Sequence, residues 1–131
     1  MIAGVTIRNA YFRLHPGSIK APQIVAFLKA LVTQIQQPLL IIWDGLRAHR
    51  SRLVREYVDN LEGQIAIDFL PPYAPELNPV EYLWAWLKRH ALANYCPGSI
   101  GELAETTRGK LRSAQRRATL IAAFWKQAEL F

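Results

Sequence analysis

No aspartate or glutamate occurs among residues 1–43; the first is Asp44. That excludes any carboxylate chemistry, and any anionic ligand for a hard cation, from the first third of the chain. There is one cysteine, Cys96, so an intrachain disulfide framework is excluded and a reducing compartment fits. Its expected state is a small, partly buried side chain. No Cys/His zinc spacing and no glycine-rich phosphate loop is present. No apolar run approaches the ~20 residues of a membrane span, and Met1–Ala10 lacks a signal-peptide pattern. These absences predict a cytoplasmic protein without a membrane partner.

What is there suits one domain over residues 1–131, with 51% hydrophobic and 20% charged residues. A formal charge of +6 favours polyanionic partners, above all nucleic acid. The charge is uneven: Arg108–Arg117 holds five basic residues and no acid.

Met1–Ile7 and Ala10–His15 read as a hairpin with a turn near Arg8-Asn9. A helix is expected from Pro22 to Gln36, with Ile24, Phe27, Leu28, Leu31 and Ile35 on one stripe. Leu39–Trp43 is a short continuous apolar run, as in a central strand covered on both faces. Asp44 then falls at its C-terminal end, where open α/β sheets place their ligands. A helix from Ser51 to Glu62, with Leu53, Val54, Tyr57, Val58 and Leu61 on one face, leads through Gly63 to a strand over Gln64–Leu70. Two further helices are expected, one from a Ser99/Glu102 capping box to Arg112 and one from Ala114 to Leu130.

Between them lies Leu70–Arg89, LPPYAPELNPVEYLWAWLKR, the most distinctive stretch. Asn78 is a favoured N-cap, Pro79 suits the first helical position, and Glu81 falls at N3, where a capping-box carboxylate reaches back to the cap. Leu77 and Tyr82 have the spacing of a hydrophobic staple. Val80, Leu83, Trp84, Leu87 and Ala91 share a buried face, and Glu81 lies off it. By this stretch alone Glu81 is a capping residue, a complete structural role.

The string P-x-Y-x-P-x-L-N-P-x-E-x-x-W-x-x-L-K closely resembles the third catalytic motif of mariner-like and related bacterial insertion-sequence transposases, members of the DDE superfamily. In that family the glutamate of N-P-x-E is the last of three metal-binding carboxylates, which implies that role for Glu81. The second, an aspartate after an apolar strand followed by H-R-[ST], matches Leu39–Trp43, Asp44 and His49-Arg50-Ser51. The resemblance implies an RNase H-like core that lacks its first strand (β-β-α-β-α-β-α) followed by two C-terminal helices. It also implies Mg²⁺ or Mn²⁺, DNA as partner, and two-metal cleavage and joining of DNA at transposon ends. Asp44 and Glu81 are then the catalytic metal ligands, and His49, Arg50, Lys88, Arg89, Arg112 and Arg116 the candidate DNA contacts.

The first aspartate of the family has no counterpart here, so the chain is expected to be inactive by itself and to correspond to the C-terminal part of a transposase. Its remedy would be an upstream transposase segment or self-association. The rival is a non-enzymatic remnant or regulator that binds DNA or a transposase subunit. A third reading, a structure-selective nuclease, would use Asp44, Glu81 and Asp68, although Asp68 alternates as a solvent-side strand residue. His49 has two open roles besides a plain surface one: contact with a scissile phosphate, or orientation of Asp44. The absent strand predicts unpaired backbone groups on its two neighbours. Direct pairing of those neighbours, strand donation from another chain, or self-association would relieve them.

Overall fold

The computed structural model describes residues 1–92 and 97–128. Cys96 and the expected helix end at Leu130 lie outside the described residues. The elements run β1 (Ile2–Val5), β2 (Ala10–Arg13), α1 (Ala21–Gln34), β3 (Leu39–Trp43), α2 (Arg52–Asp59), β4 (Ile65–Phe69), α3 (Pro79–Trp86), α4 (Ile100–Gln115) and α5 (Ala118–Gln127). This is the expected order. The chain divides into two compact units, one of His15–Pro75 with Met1–Ile2, the other of Ala3–Leu14 with the segment from Glu76 onward.

In the first unit, β3 and β4 pair in parallel, Leu39 opposite Ile65 and Trp43 opposite Phe69. A parallel pair needs a crossover, and α2 supplies it. Ser51 caps α2 by accepting a hydrogen bond from the Val54 amide at 3.4 Å. After α2 the chain turns through two left-handed residues, Glu62 (φ 52°) and Gly63 (φ 88°). Glycine tolerates that region at no steric cost. Helix α1 packs on α2 and buries Ile24, Phe27, Leu28 and Leu31. Ile35 falls beyond the end of the helix, as its C-cap.

The expectation that β3 is covered on both faces does not hold. Its residues alternate, and Leu40 and Ile42 are 65% and 49% exposed. Leu39, Ile41 and Trp43 on the other face are half-buried, so the strand is bare on one face and partly covered on the other. The expected stripe on α2 is corrected as well: Val54 is buried, whereas Leu53 is exposed. Among the described residues β1–β2 and β3–β4 form separate two-stranded sheets.

The second unit is built on one hydrophobic cluster of Ala10, Leu83, Leu87, Leu111, Ala114, Ile121 and Phe124. The hairpin β1–β2 closes through the Thr6 amide, which donates to the Asn9 carbonyl at 2.8 Å. Two long-range bonds tie it to the helices: Gln115 Nε2 donates to the Ala10 carbonyl at 2.7 Å, and Trp125 Nε1 to the Thr6 carbonyl at 2.6 Å. Trp84, Trp86 and Tyr82 are partly buried and pack against the same cluster. Helix α3 runs into a π turn, Leu87–Ala91, in which the Leu92 amide reaches back five residues to the Leu87 carbonyl at 2.9 Å. The helix begun at Ser99 runs three residues past Arg112, to Gln115, and α5 starts at Ala118 rather than Ala114. Arg116 and Arg117 form the break. Buried Leu111 and Ala114 keep their spacing on the apolar face, which holds α4 together past the expected stop.

Candidate active site

Asp44 leaves β3 at its C-terminal end, and its own side chain shapes the turn beyond the strand. Oδ1 accepts the Leu46 amide at 3.1 Å, the hydrogen bond of an Asx turn. The chain then winds tightly: the amides of His49 and Arg50 donate to the Leu46 carbonyl at 3.0 and 3.3 Å. This turn brings His49 back onto Asp44. His49 Nδ1 lies 3.0 Å from Asp44 Oδ1 and 3.2 Å from the Asp44 carbonyl oxygen. The imidazole is stacked on the Trp43 indole, with centroids 4.2 Å apart and planes within 2°. Both contacts of the Asp44 carboxylate fall on Oδ1, so among the described residues Oδ2 has no partner.

Arg50 completes the group. Its guanidinium lies over the Phe69 ring, 5.0 Å from the centroid. A Cβ on Gly45 would come within 2.8 Å of Arg50 Nη2, so glycine is what lets the guanidinium cross the turn. Beside this cluster a cavity of about 580 Å³ is lined by Trp43, His49, Arg50, Val54, Ile65 and Phe69, among others. Sequence reasoning missed Trp43, Gly45 and Phe69. The string Trp43-Asp44-Gly45 carried a signal, an aromatic and a glycine flanking the carboxylate, but Phe69 reaches this place only through the β3–β4 register.

Glu81 lies in the first turn of α3, in the second unit. Asn78 caps the helix alone, its Oδ1 accepting the Val80 amide at 3.2 Å. The expected capping box is therefore only half present. The Glu81 carboxylate is exposed and, among the described residues, makes no hydrogen bond or ion pair. A single short Asn side chain serves the N-terminal amides, and a carboxylate near that terminus is still favourably placed against the helix dipole. Tyr82 ties the preceding loop down, its hydroxyl donating to the Glu76 carbonyl at 2.9 Å. At Ser99 the box is likewise altered: Ser99 Oγ accepts the Glu102 amide at 3.1 Å, but Glu102 Oε2 takes the Gly98 amide at 2.9 Å.

Lys88 and Arg89 are exposed on the π turn, and Arg112 and Arg116 are exposed one turn apart at the end of α4. Arg108 is instead ion-paired with Glu105. Asp68 is exposed on β4, and its Oδ1 accepts the Phe69 amide at 2.9 Å. The structure thus brings Asp44, His49 and Arg50 together. It gathers no group of three or more His, Cys, Asp or Glu able to hold a metal ion among the described residues. A hard cation suits the free oxygen of Asp44 as one donor, but these residues do not assemble a complete centre.

The fold is that of solved transposase domains, matched over nearly the whole chain. The Mos1 transposase paired-end complex with left transposon end is 20% identical, with a TM-score of 0.69, covering 95% of this chain and 38% of that one. The Mos1 mariner paired-end complex with Mn is 21% identical, with a TM-score of 0.66 over 95% of this chain and 38% of that one. The catalytic domain of Mos1 mariner transposase is 22% identical, with a TM-score of 0.65 over 94% and 63%. The architecture is therefore RNase H-like. This chain spans from over one third to under two thirds of the length of these structures. The family model for DDE superfamily endonuclease matches residues 1–104, and the chain belongs to that family. No curated protein matches it. Family membership implies a divalent metal. No described helix is long and apolar enough to cross a membrane.

Proposed function

We propose that residues 1–131 form the C-terminal part of a DDE transposase catalytic domain of the mariner-like insertion-sequence group. The whole enzyme cleaves and joins DNA at transposon ends. Asp44 and Glu81 supply two of its metal-binding carboxylates, and Mg²⁺ or Mn²⁺, when bound, polarises the scissile phosphate and activates the attacking oxygen. The observation that supports this reading best is Asp44, held in one Asx turn at the end of a parallel strand with Oδ2 free. His49 and Arg50 stand beside it, and Arg50 is a ready phosphate partner because its fork of donors is planar and permanently charged. Lys88, Arg89, Arg112 and Arg116 offer exposed cations for the DNA backbone. The chain is inactive alone, since residues 1–43 hold no acid and no set of three ligands gathers among the described residues. An upstream segment that brings a strand ending in aspartate, or self-association, completes it. A cytoplasmic location belongs to the same reading.

The test is to join the chain to the segment encoded immediately upstream and assay nicking of supercoiled DNA with Mn²⁺. The joined protein is expected to nick, and Asp44→Ala or Glu81→Ala to abolish it. Nicking that survives both substitutions would sink the proposal. The lack of a three-ligand cluster favours one second reading, a non-enzymatic remnant or regulator that binds DNA or a transposase subunit. It predicts DNA binding by the isolated chain and no nicking by any joined form.

A further inference from the structure

The geometry points to His49 as the positioning residue of Asp44: one hydrogen bond from its Nδ1, braced by the stack on Trp43, fixes the carboxylate in a single rotamer with Oδ2 presented outward. The inference builds on the reading of Asp44 as a working carboxylate and adds how it is aimed.

Three observations converge. Both groups facing His49 Nδ1, the Asp44 Oδ1 at 3.0 Å and the Asp44 carbonyl oxygen at 3.2 Å, are acceptors only. Nδ1 must therefore carry the proton, so the tautomer is set by the backbone turn itself. The ring cannot swing away without giving up a parallel stack at 4.2 Å on Trp43, and its side chain is only 16% exposed. Finally, Oδ1 also takes the Leu46 amide at 3.1 Å, so both donors hold one oxygen and leave the other. An Asx turn alone is a weak restraint on a carboxylate that is 42% exposed. A second donor at an angle to the first is what removes its remaining rotation. Partners of ligating carboxylates are worth about ten- to a hundredfold in metal affinity.

Three substitutions separate the bond from the stack. In His49→Asn the amide nitrogen takes the place of Nδ1 and keeps the bond without the ring. His49→Gln offers its nitrogen at the far position instead. His49→Phe keeps the stack and loses the bond. The readouts use the full metal-free chain by NMR: ring ¹⁵N shifts for the tautomer, and the Asp44 Hα–Hβ couplings for its rotamers. The expected result is an Nδ1–H tautomer and one dominant Asp44 rotamer in the natural chain and in His49→Asn, with averaged couplings in His49→Gln and His49→Phe. Retention of the single rotamer in His49→Phe, its loss in His49→Asn, or an Nε2–H tautomer in the natural chain would overturn the inference. Should His49→Phe fail to fold, the Asn and Gln pair decides alone. Paramagnetic broadening by Mn²⁺ is then followed at the Asp44 amide. Weakening of about tenfold or more in His49→Gln but not His49→Asn extends the support. Absence of broadening in the isolated chain is what an incomplete centre gives; absence in the chain joined to its upstream segment, with the rotamer result intact, counts against the metal role of Asp44 and leaves its positioning by His49 supported.

Discussion

The two units of the chain spend their apolar residues differently. The second unit closes Leu83, Leu111, Ala114 and Ile121 to 1% exposure or less, and its hairpin is hydrogen-bonded to residues more than a hundred positions away. The first unit closes Ile24, Leu28 and Val54 about as tightly, but its two-stranded sheet is only partly covered, and Leu40, Ile42, Leu46, Leu53 and Phe69 are exposed. Yet the first unit holds the denser polar cluster, Asp44 with His49 and Arg50. The contrast lies in the sheet: both units have a buried core, but the first leaves one face of β3 bare beside its polar cluster. Two-stranded sheets are marginal in water, so an open β3 is a place where added structure would lower free energy.

The largest expected effect is in the core of the second unit. Leu83→Ala or Ile121→Ala should lower stability by about 3 kcal/mol in urea denaturation, from lost burial plus the cavity left behind. Leu40→Thr on the bare face should change it by less than about 0.5 kcal/mol. Equal losses at Leu83 and Leu40 would break the contrast. Next comes the start of α3. Asn78→Ala should cost about 1 kcal/mol, whereas Glu81→Ala should fall within about 0.5 kcal/mol, measured by thermal unfolding. A matching loss for Glu81→Ala would restore the capping box. For DNA binding, Arg112→Ala and Arg116→Ala together should flatten the salt dependence by about 2 in the slope of log K against log salt. Arg52→Ala in the first unit, where the guanidinium already pairs with Glu56 at 2.6 Å, should leave that slope nearly unchanged. The smallest effect is zero: Asp68→Asn should not alter nicking by the joined protein, and any loss would revive Asp68 as a ligand.

The order of elements was legible because the apolar periods are clear enough to separate them and three of the breaks carry a marker: Gly63 after α2, Pro79 at the head of α3, Ser99 before α4. Asp44 and Glu81 stand out as candidates only through long motifs, since one carboxylate after a strand and one at a helix start are ordinary by themselves. Side-chain burial on β3 was not legible. Five consecutive apolar residues look the same whether a strand has one covered face or two, and the difference lies in what packs over the sheet, which no local pattern records. The join between α4 and α5 was misplaced for a related reason. No proline or glycine marks it, and the basic pair Arg116-Arg117 reads as well inside a helix as at its end. The stack of His49 on Trp43 needs a turn whose shape depends on several backbone hydrogen bonds and the Asp44 side-chain bond to the Leu46 amide, a geometry no spacing rule encodes.

The way α3 begins has a consequence for how such a chain ages. Asn78 and Pro79 secure the helix without calling on the carboxylate two residues later. Pressure to keep the helix intact therefore acts on Glu81 only weakly, through its charge beside the helix terminus. A copy released from its chemical task would drift at that position first and keep its shape, its solubility and its core unchanged. Folding and the proposed chemistry are thus inherited along largely separate lines at position 81.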